Sequence, residues 1–119
     1  MTFEQELAKC QANMLKYAHL IVNKRVYKGN DAIYCGRGSI WGNQYTHLDG
    51  TTAQYRVANR EEAVVMHRRQ FVQDIANGVI KIAALRALAG KKLSCYCAPH
   101  LCHCSTIAAA AAYYAGETI

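Results

Sequence analysis

Apolar side chains recur every three or four positions over the first eighteen residues, at Phe3, Leu7, Cys10, Met14 and Tyr17. That spacing predicts an amphipathic helix over residues 2–18, with Thr2 as its cap and Cys10 on the buried face. The pattern then changes. Residues 19–23 form a short run with β-branched Ile and Val and read as a strand, 28–31 (Lys-Gly-Asn-Asp) as a turn, and 32–35 as a second strand. Two short segments, 44–48 and 52–56, flank Asp49-Gly50 and predict a β-hairpin excursion over 44–57. Asn59 to Glu62 has the form of a capping box, and Val64, His67, Phe71 and Ile75 mark the inner face of the helix it opens, which Gly78 stops. A shorter helix over about 80–88 ends at Gly90, and a third strand over 92–97 is halted by Pro99. The last helix starts near Ser105 or Thr106 and runs through alanines to Tyr114, with a small-residue face over 108–112 suited to tight packing.

This order predicts an α/β fold: one small domain over 1–119, with a short, partly parallel sheet flanked by helices, a Rossmann-like fragment. The crossover between strands 32–35 and 92–97 implies that they run parallel. Ligands of open α/β sheets bind beyond the carboxyl ends of the strands. Here those ends are Cys35-Gly36-Arg37 and Cys97-Ala98-Pro99, so if the two strands are neighbours, both motifs meet at one edge of the sheet.

Composition narrows the classes. In 119 residues, 52% are hydrophobic and 18% charged, which suits one globular core. No apolar run approaches the roughly 18 residues needed to span a bilayer, so no membrane partner is expected. The start, MTFEQELAK, is acidic and polar, unlike a secretory signal. A cytoplasmic protein with reduced thiols is therefore expected. Four of the six cysteines crowd into CYCAPHLCHC (95–104). The net charge of +6 is compatible with an anionic partner, a nucleotide or a nucleic acid. Lys24, Arg25, Lys28 and Arg37 cluster before and inside the glycine-rich segment, and Lys91 and Lys92 precede the cysteines. Ordinary solubilising surface charge would give the same pattern.

The segment GRGSIWGN (36–43) leaves the second strand. Gly36, Gly38 and Gly42 let backbone amides approach an anion, Arg37 offers a planar fork, Ser39 a hydroxyl, Asn43 an amide, and Trp41 a face for a base or sugar. The spacing matches neither a Walker loop nor a dinucleotide fingerprint. The alternative is a tight turn with Trp41 filling the core. For the cysteines, two chemistries stand side by side. Cys97, Cys102 and His103, with Cys95 or Cys35 as the fourth, have the side-chain types of a zinc site, although C-x-C…C-H is not a standard finger spacing. Alternatively Cys97, Cys102 and His103 are catalytic: Cys102 lies near a helix N-terminus that lowers a thiol pKa, with His103 or His100 as base. Single cysteines on a buried strand also occur simply as small hydrophobes.

The segments IYCGRGSIWGN (33–43), REEA (60–63) and LAGKKLSCYCAP (88–99), with Cys102-His103, resemble a phage and bacterial family, domain of unknown function 4326. Its pattern is similar to Y-x-G-R-x-S-x-W-G-N-P-F followed by L-x-G-K-x-L-x-C-W-C-x-P-x-x-C-H-G-D. The resemblance covers most of residues 19–112 and implies a viral origin, hence a host cytoplasm, and a site at these motifs. It implies no reaction. Gln44 stands for the family's proline, Tyr96 for its tryptophan, Cys104 for its glycine and Ser105 for its aspartate. Cys104 adds a candidate metal ligand, and Ser105 can cap the last helix as an aspartate would.

Two functions follow. In one, the glycine segment and the cysteine cluster line a nucleotide- or nucleoside-directed pocket, with enzyme chemistry at the thiols. In the other, a non-catalytic nucleic-acid- or protein-binding module carries a structural zinc and a broad basic face of Lys24, Arg25, Lys28, Arg68, Arg69 and Lys91. Geometry separates them, because only the first needs both motifs in one cavity.

Overall fold

Thr2 closes the first helix with a reciprocal cap: its hydroxyl accepts from the Gln5 amide while the Gln5 side chain accepts from the Thr2 amide. The helix is α1 (Phe3–Tyr17). The computed structural model describes residues 1–48 and 55–116. After α1 come β1 (Ile21–Asn23), β2 (Ile33–Tyr34), β3 (Tyr45–Thr46), β4 (Tyr55–Arg56), α2 (Arg60–Ala76), α3 (Ile82–Arg86), β5 (Leu93–Cys95) and α4 (Cys104–Tyr114). A 3-10 turn over Ala18–Leu20 occupies the start of the stretch expected as the first strand.

The main sheet has the order β1-β5-β2, with both neighbours parallel to β5. Ile21 and Ile33 stand opposite Leu93 from the two sides. Leu93, Ser94 and Cys95 are all buried, as a central strand covered on both faces requires. β5 stops at Cys95, so Tyr96 and Cys97 belong to the loop rather than to the strand. The third strand is therefore shorter than the sequence suggests.

The expected hairpin is overturned. β3 and β4 pair in parallel, with Tyr45 opposite Tyr55 and Thr46 opposite Arg56, the tyrosine rings stacked at 5.1 Å. Parallel strands cannot be joined by a tight turn and need a longer connection. Asp49-Gly50, the turn signal that suggested the hairpin, lies outside the described residues.

α2 starts on Asn59, whose side chain accepts from the Glu62 amide, and ends before Gly78, whose φ of +75° suits glycine. Its inner face is Ala63, Val64, Val65, His67 and Phe71. α4 packs on β5 between α1 and α3, and Ala108, Ala111 and Ala112 are buried, so the small-residue stretch serves packing inside the fold. α4 begins at Cys104, earlier than expected. Ser105 does not cap it: it sits inside the first turn and donates to the Cys102 carbonyl at 2.7 Å. Between α1 and α2, Cys10 packs with Val64 and Val65, and buried Glu6 accepts from Arg68 at 3.0 Å and Arg69 at 2.6 Å. Among the described residues no helix is long and apolar enough to cross a membrane.

Candidate functional site

Parallel pairing brings the carboxyl ends of the strands together. The Cys35 amide donates to the Ser94 carbonyl at 2.9 Å, and the Lys24 amide to the Cys95 carbonyl at 2.8 Å. Asn23 then ties down the loop after β5 by donating to the Ala98 carbonyl at 2.9 Å. The glycine segment and the cysteine segment therefore leave the sheet side by side. Between them lies a cavity of about 430 Å³. Gly36, Arg37 and Asn43 line one side, and Cys95, Tyr96, Cys97, Leu101 and His103 the other. Tyr34, the 45–48 segment and Arg60, Ala63 and Val64 of α2 complete the wall, which includes no Asp or Glu among the described residues.

The glycine segment divides into wall and scaffold. Arg37 lies on the cavity and has no carboxylate partner among the described residues. Gly42 is scaffold: a Cβ there would stand 2.7 Å from the Gly36 oxygen and 2.9 Å from Arg37 Cα, so only glycine lets the turn close. Ser39 is also scaffold, its amide and hydroxyl both donating to the Gly36 carbonyl, and Gly38 is exposed with a φ of +95°. These two do not reach the cavity, and the Ser39 amide is not free for a phosphate. Asn43 is buried, donating to the Ala63 carbonyl at 3.0 Å and accepting from the Tyr45 amide at 2.9 Å, so its polar atoms hold α2 and β3 in place. The expectation for Trp41 is corrected. It is buried against Phe71 in the main core, away from the cavity, because its apolar ring gains more from that burial than from the wall. The aromatic faces on the cavity are instead those of Tyr34, Tyr45 and Tyr96.

The cysteine cluster is assembled from β5, the loop after it and the start of α4. Cys95 Sγ and Cys102 Sγ stand 2.7 Å apart, and Cys102 Sγ is 3.7 Å from His103 Nδ1. The other ring nitrogen of His103 donates to the Cys35 carbonyl at 2.6 Å, fixing the ring. Two overlapping groups offer donor atoms within 4.8 Å of one another: Cys95, Cys97 and Cys102; and Cys102, His103 and Cys104. The cluster therefore has the donors and spacing to hold a metal ion. Of all six cysteines only Cys97 is not buried. Cys102, a candidate nucleophile by sequence, is fully buried and does not reach the cavity: its sulfur stands 2.7 Å from that of Cys95. His100 is exposed and off the cavity wall.

Electrostatics follow this arrangement. Hydrogen bonds from Cys104, Cys95 and Cys97 hold the Cys102 thiol well below its usual range, with help from the His103 charge, against the opposing effect of burial. Its partners move the other way: Cys97 and Cys104 are both pushed up, first by their hydrogen bonds to Cys102. Burial alone would lower His103, but the Cys102 charge, its hydrogen bond and the Cys35 carbonyl carry it up to about 9. Cys95 is lowered too: its hydrogen bond to Cys102 pushes it up, but those from Cys104 and Cys97 outweigh that, so negative charge is favoured at Cys102 and Cys95 beside His103. Burial, and then the His103 charge, hold neighbouring His67 down to about 3, and its Nδ1 has no hydrogen-bond partner. The two rings lie 4.9 Å apart.

Sequence reasoning missed Tyr34, Tyr45, Tyr96, His47, Arg60 and His67. Tyr34 and Tyr96 each adjoin a motif cysteine, which is a local signal. Arg60 and His67 reach the site only through the placement of α2, which no local pattern carries.

No solved structure matches the chain. An uncharacterized 12.4 kDa protein in the nrdA-td intergenic region of Enterobacteria phage T4 is 35% identical over 88 residues, covering 74% of this chain and 72% of that protein. The sequence pattern of a described family matches residues 19–113, which include every strand, the glycine segment and the whole cysteine cluster. On these grounds the chain belongs to the family described as domain of unknown function (DUF4326).

Proposed function

We propose that the cavity receives an anionic small molecule of the nucleotide class, and that the cysteine cluster beneath it holds zinc. One observation carries the reading: the glycine segment and the cysteine cluster line the same 430 Å³ cavity, a size within the range of small-ligand sites. Arg37 and Arg60 supply planar forks for phosphate, and three tyrosines supply faces for a base. A thiol- and imidazole-rich donor set suits zinc better than magnesium or calcium. An enzyme with this layout would act on its ligand where Cys97 and His103 meet the cavity.

The second reading, a nucleic-acid-binding module, has its own support. Lys24 lies over the Tyr34 ring at 5.2 Å and Arg25 over the Tyr96 ring at 5.0 Å, so cations flank the mouth of the cavity. Against it, Arg68 and Arg69 are tied to Glu6 and do not join Lys24 on one basic face. Calorimetric titration with nucleoside mono-, di- and triphosphates and with a short single-stranded oligonucleotide tests both. Arg37→Ala should weaken nucleotide affinity about tenfold to a hundredfold, the worth of a charged hydrogen bond, with the fold intact. Unchanged affinity for every ligand bound by the wild type contradicts the pocket. Tight oligonucleotide binding that falls steeply with salt, without mononucleotide binding, favours the second reading.

A further inference from the structure

The cluster contains two donor triads that share Cys102, and they are not equivalent. Cys102, His103 and Cys104 are consecutive, and His103 and Cys104 already have helical backbone geometry at the start of α4. Of this triad only His103 lines the cavity, so an ion held there would be enclosed by the fold. Cys95 and Cys97 come from the end of β5 and the loop beyond it, and Cys102 from just before α4, with their sulfurs within 4.8 Å of one another. Cys95 and Cys97 also line the cavity, and Cys97 is the one thiol with exposed surface. The triad that meets the cavity through two of its thiols, Cys95, Cys97 and Cys102, includes neither His103 nor Cys104. A closed four-coordinate zinc site needs four donors about 3.8 Å apart along every edge, for zinc–sulfur bonds of about 2.3 Å.

We propose that Cys95, Cys97 and Cys102 hold one zinc-class ion whose fourth position opens into the cavity, where water or a donor atom of the bound anion completes the coordination. Three protein ligands with one open position is the arrangement of catalytic rather than structural zinc. His103 then acts as a positioning residue: its ring, held by the Cys35 carbonyl, sets Nδ1 3.7 Å from Cys102 Sγ and orients that thiolate. Three thiolates and a dication leave one net negative charge, which Arg37 and Arg60 on the cavity wall offset for an incoming anion. Binding displaces the thiol protons and parts Cys95 and Cys102, 2.7 Å apart without metal, by about an ångström.

This inference rests on the zinc half of the proposed function, and the test separates the two. Reduced, full-length protein is loaded anaerobically with zinc for native mass spectrometry and with cobalt(II) for visible spectroscopy; azide is then added as an exogenous donor. The expected results are one ion per chain and a cobalt spectrum that azide shifts. Cys97→Ser should weaken zinc affinity at least about tenfold, whereas Cys104→Ser still binds one ion per chain and keeps the azide-induced shift. Cys97 is chosen because its partial exposure lets the fold survive the change. Two ions per chain, a cobalt spectrum indifferent to azide, or loss of metal in Cys104→Ser with retention in Cys97→Ser would each overturn the open site while leaving the cluster metal-binding. Absence of metal from every form overturns both.

Discussion

Replacing Gly42 with alanine would put a methyl carbon 2.7 Å from the Gly36 oxygen and 2.9 Å from Arg37 Cα. Both neighbours are backbone, so no side chain can swing aside, and one strand of the turn must move by about half an ångström to restore ordinary contact. Overpacking of this kind costs about 1–3 kcal/mol. For a domain near this size that corresponds to a fall in Tm of roughly 5–15 °C. The displacement falls on the residue that carries the Arg37 side chain into the cavity, so ligand affinity should fall with stability. Gly38→Ala is the control: nothing lies within 4 Å of its Cβ, and only the φ of +95° is unfavourable. It should cost about 1–2 kcal/mol and leave affinity unchanged. Thermal melts and nucleotide titrations of both variants decide the matter. A Gly42→Ala protein that melts with the wild type and binds equally well would refute the claim that this glycine closes the turn behind Arg37.

Two further predictions concern the interior. His67, ordinarily near 6.5, is held down to about 3, so the unfolded chain takes up its proton before the native state does. The stability conferred by a neutral His67 is complete above about pH 6.5 and is lost as pH falls towards 3; between pH 6.5 and 5 the loss is about 2 kcal/mol. Urea unfolding at pH 7 and pH 5 should show this loss in the wild type and a shallower one in His67→Gln; equal slopes would contradict the assignment. Ile107 is fully buried in α4, and Ile107→Ala should cost about 2–5 kcal/mol in urea unfolding. A loss below 1 kcal/mol would mean that α4 is not packed as described.

The features that were legible in the sequence are those fixed by short-range physics. The apolar spacing of Phe3 to Tyr17 and the caps at Thr2 and Asn59 determine α1 and the start of α2, and they form as expected. The strand–helix–strand order is enough to make β2 and β5 parallel; that they are also neighbours, which brings Gly36 and Cys97 to one edge, is decided by the sheet. What failed depended on distant partners. Asp49-Gly50 has hairpin chemistry, but Tyr45 and Tyr55 pair in the parallel sense, a choice no dipeptide records. Trp41 follows a glycine-rich turn as a binding aromatic would, but Phe71, thirty residues on, supplies the apolar surface that buries it. Cys102 was assigned by its closeness to a helix start. Which way its sulfur points depends on the loop that joins β5 to α4, and that loop sets it 2.7 Å from the Cys95 sulfur rather than in the cavity.

The claim that the glycine segment and the cysteine cluster share one ligand cavity is tested most directly by the alkylation rate of Cys97 in the reduced, metal-free protein, with and without a saturating nucleotide. Cys97 is the single cysteine with exposed surface, and it lies on the cavity wall opposite Arg37. The account predicts that the nucleotide slows labelling of Cys97 several-fold and that Arg37→Ala abolishes the protection at the same nucleotide concentration. A nucleotide that binds, by calorimetry, without slowing Cys97 would contradict it.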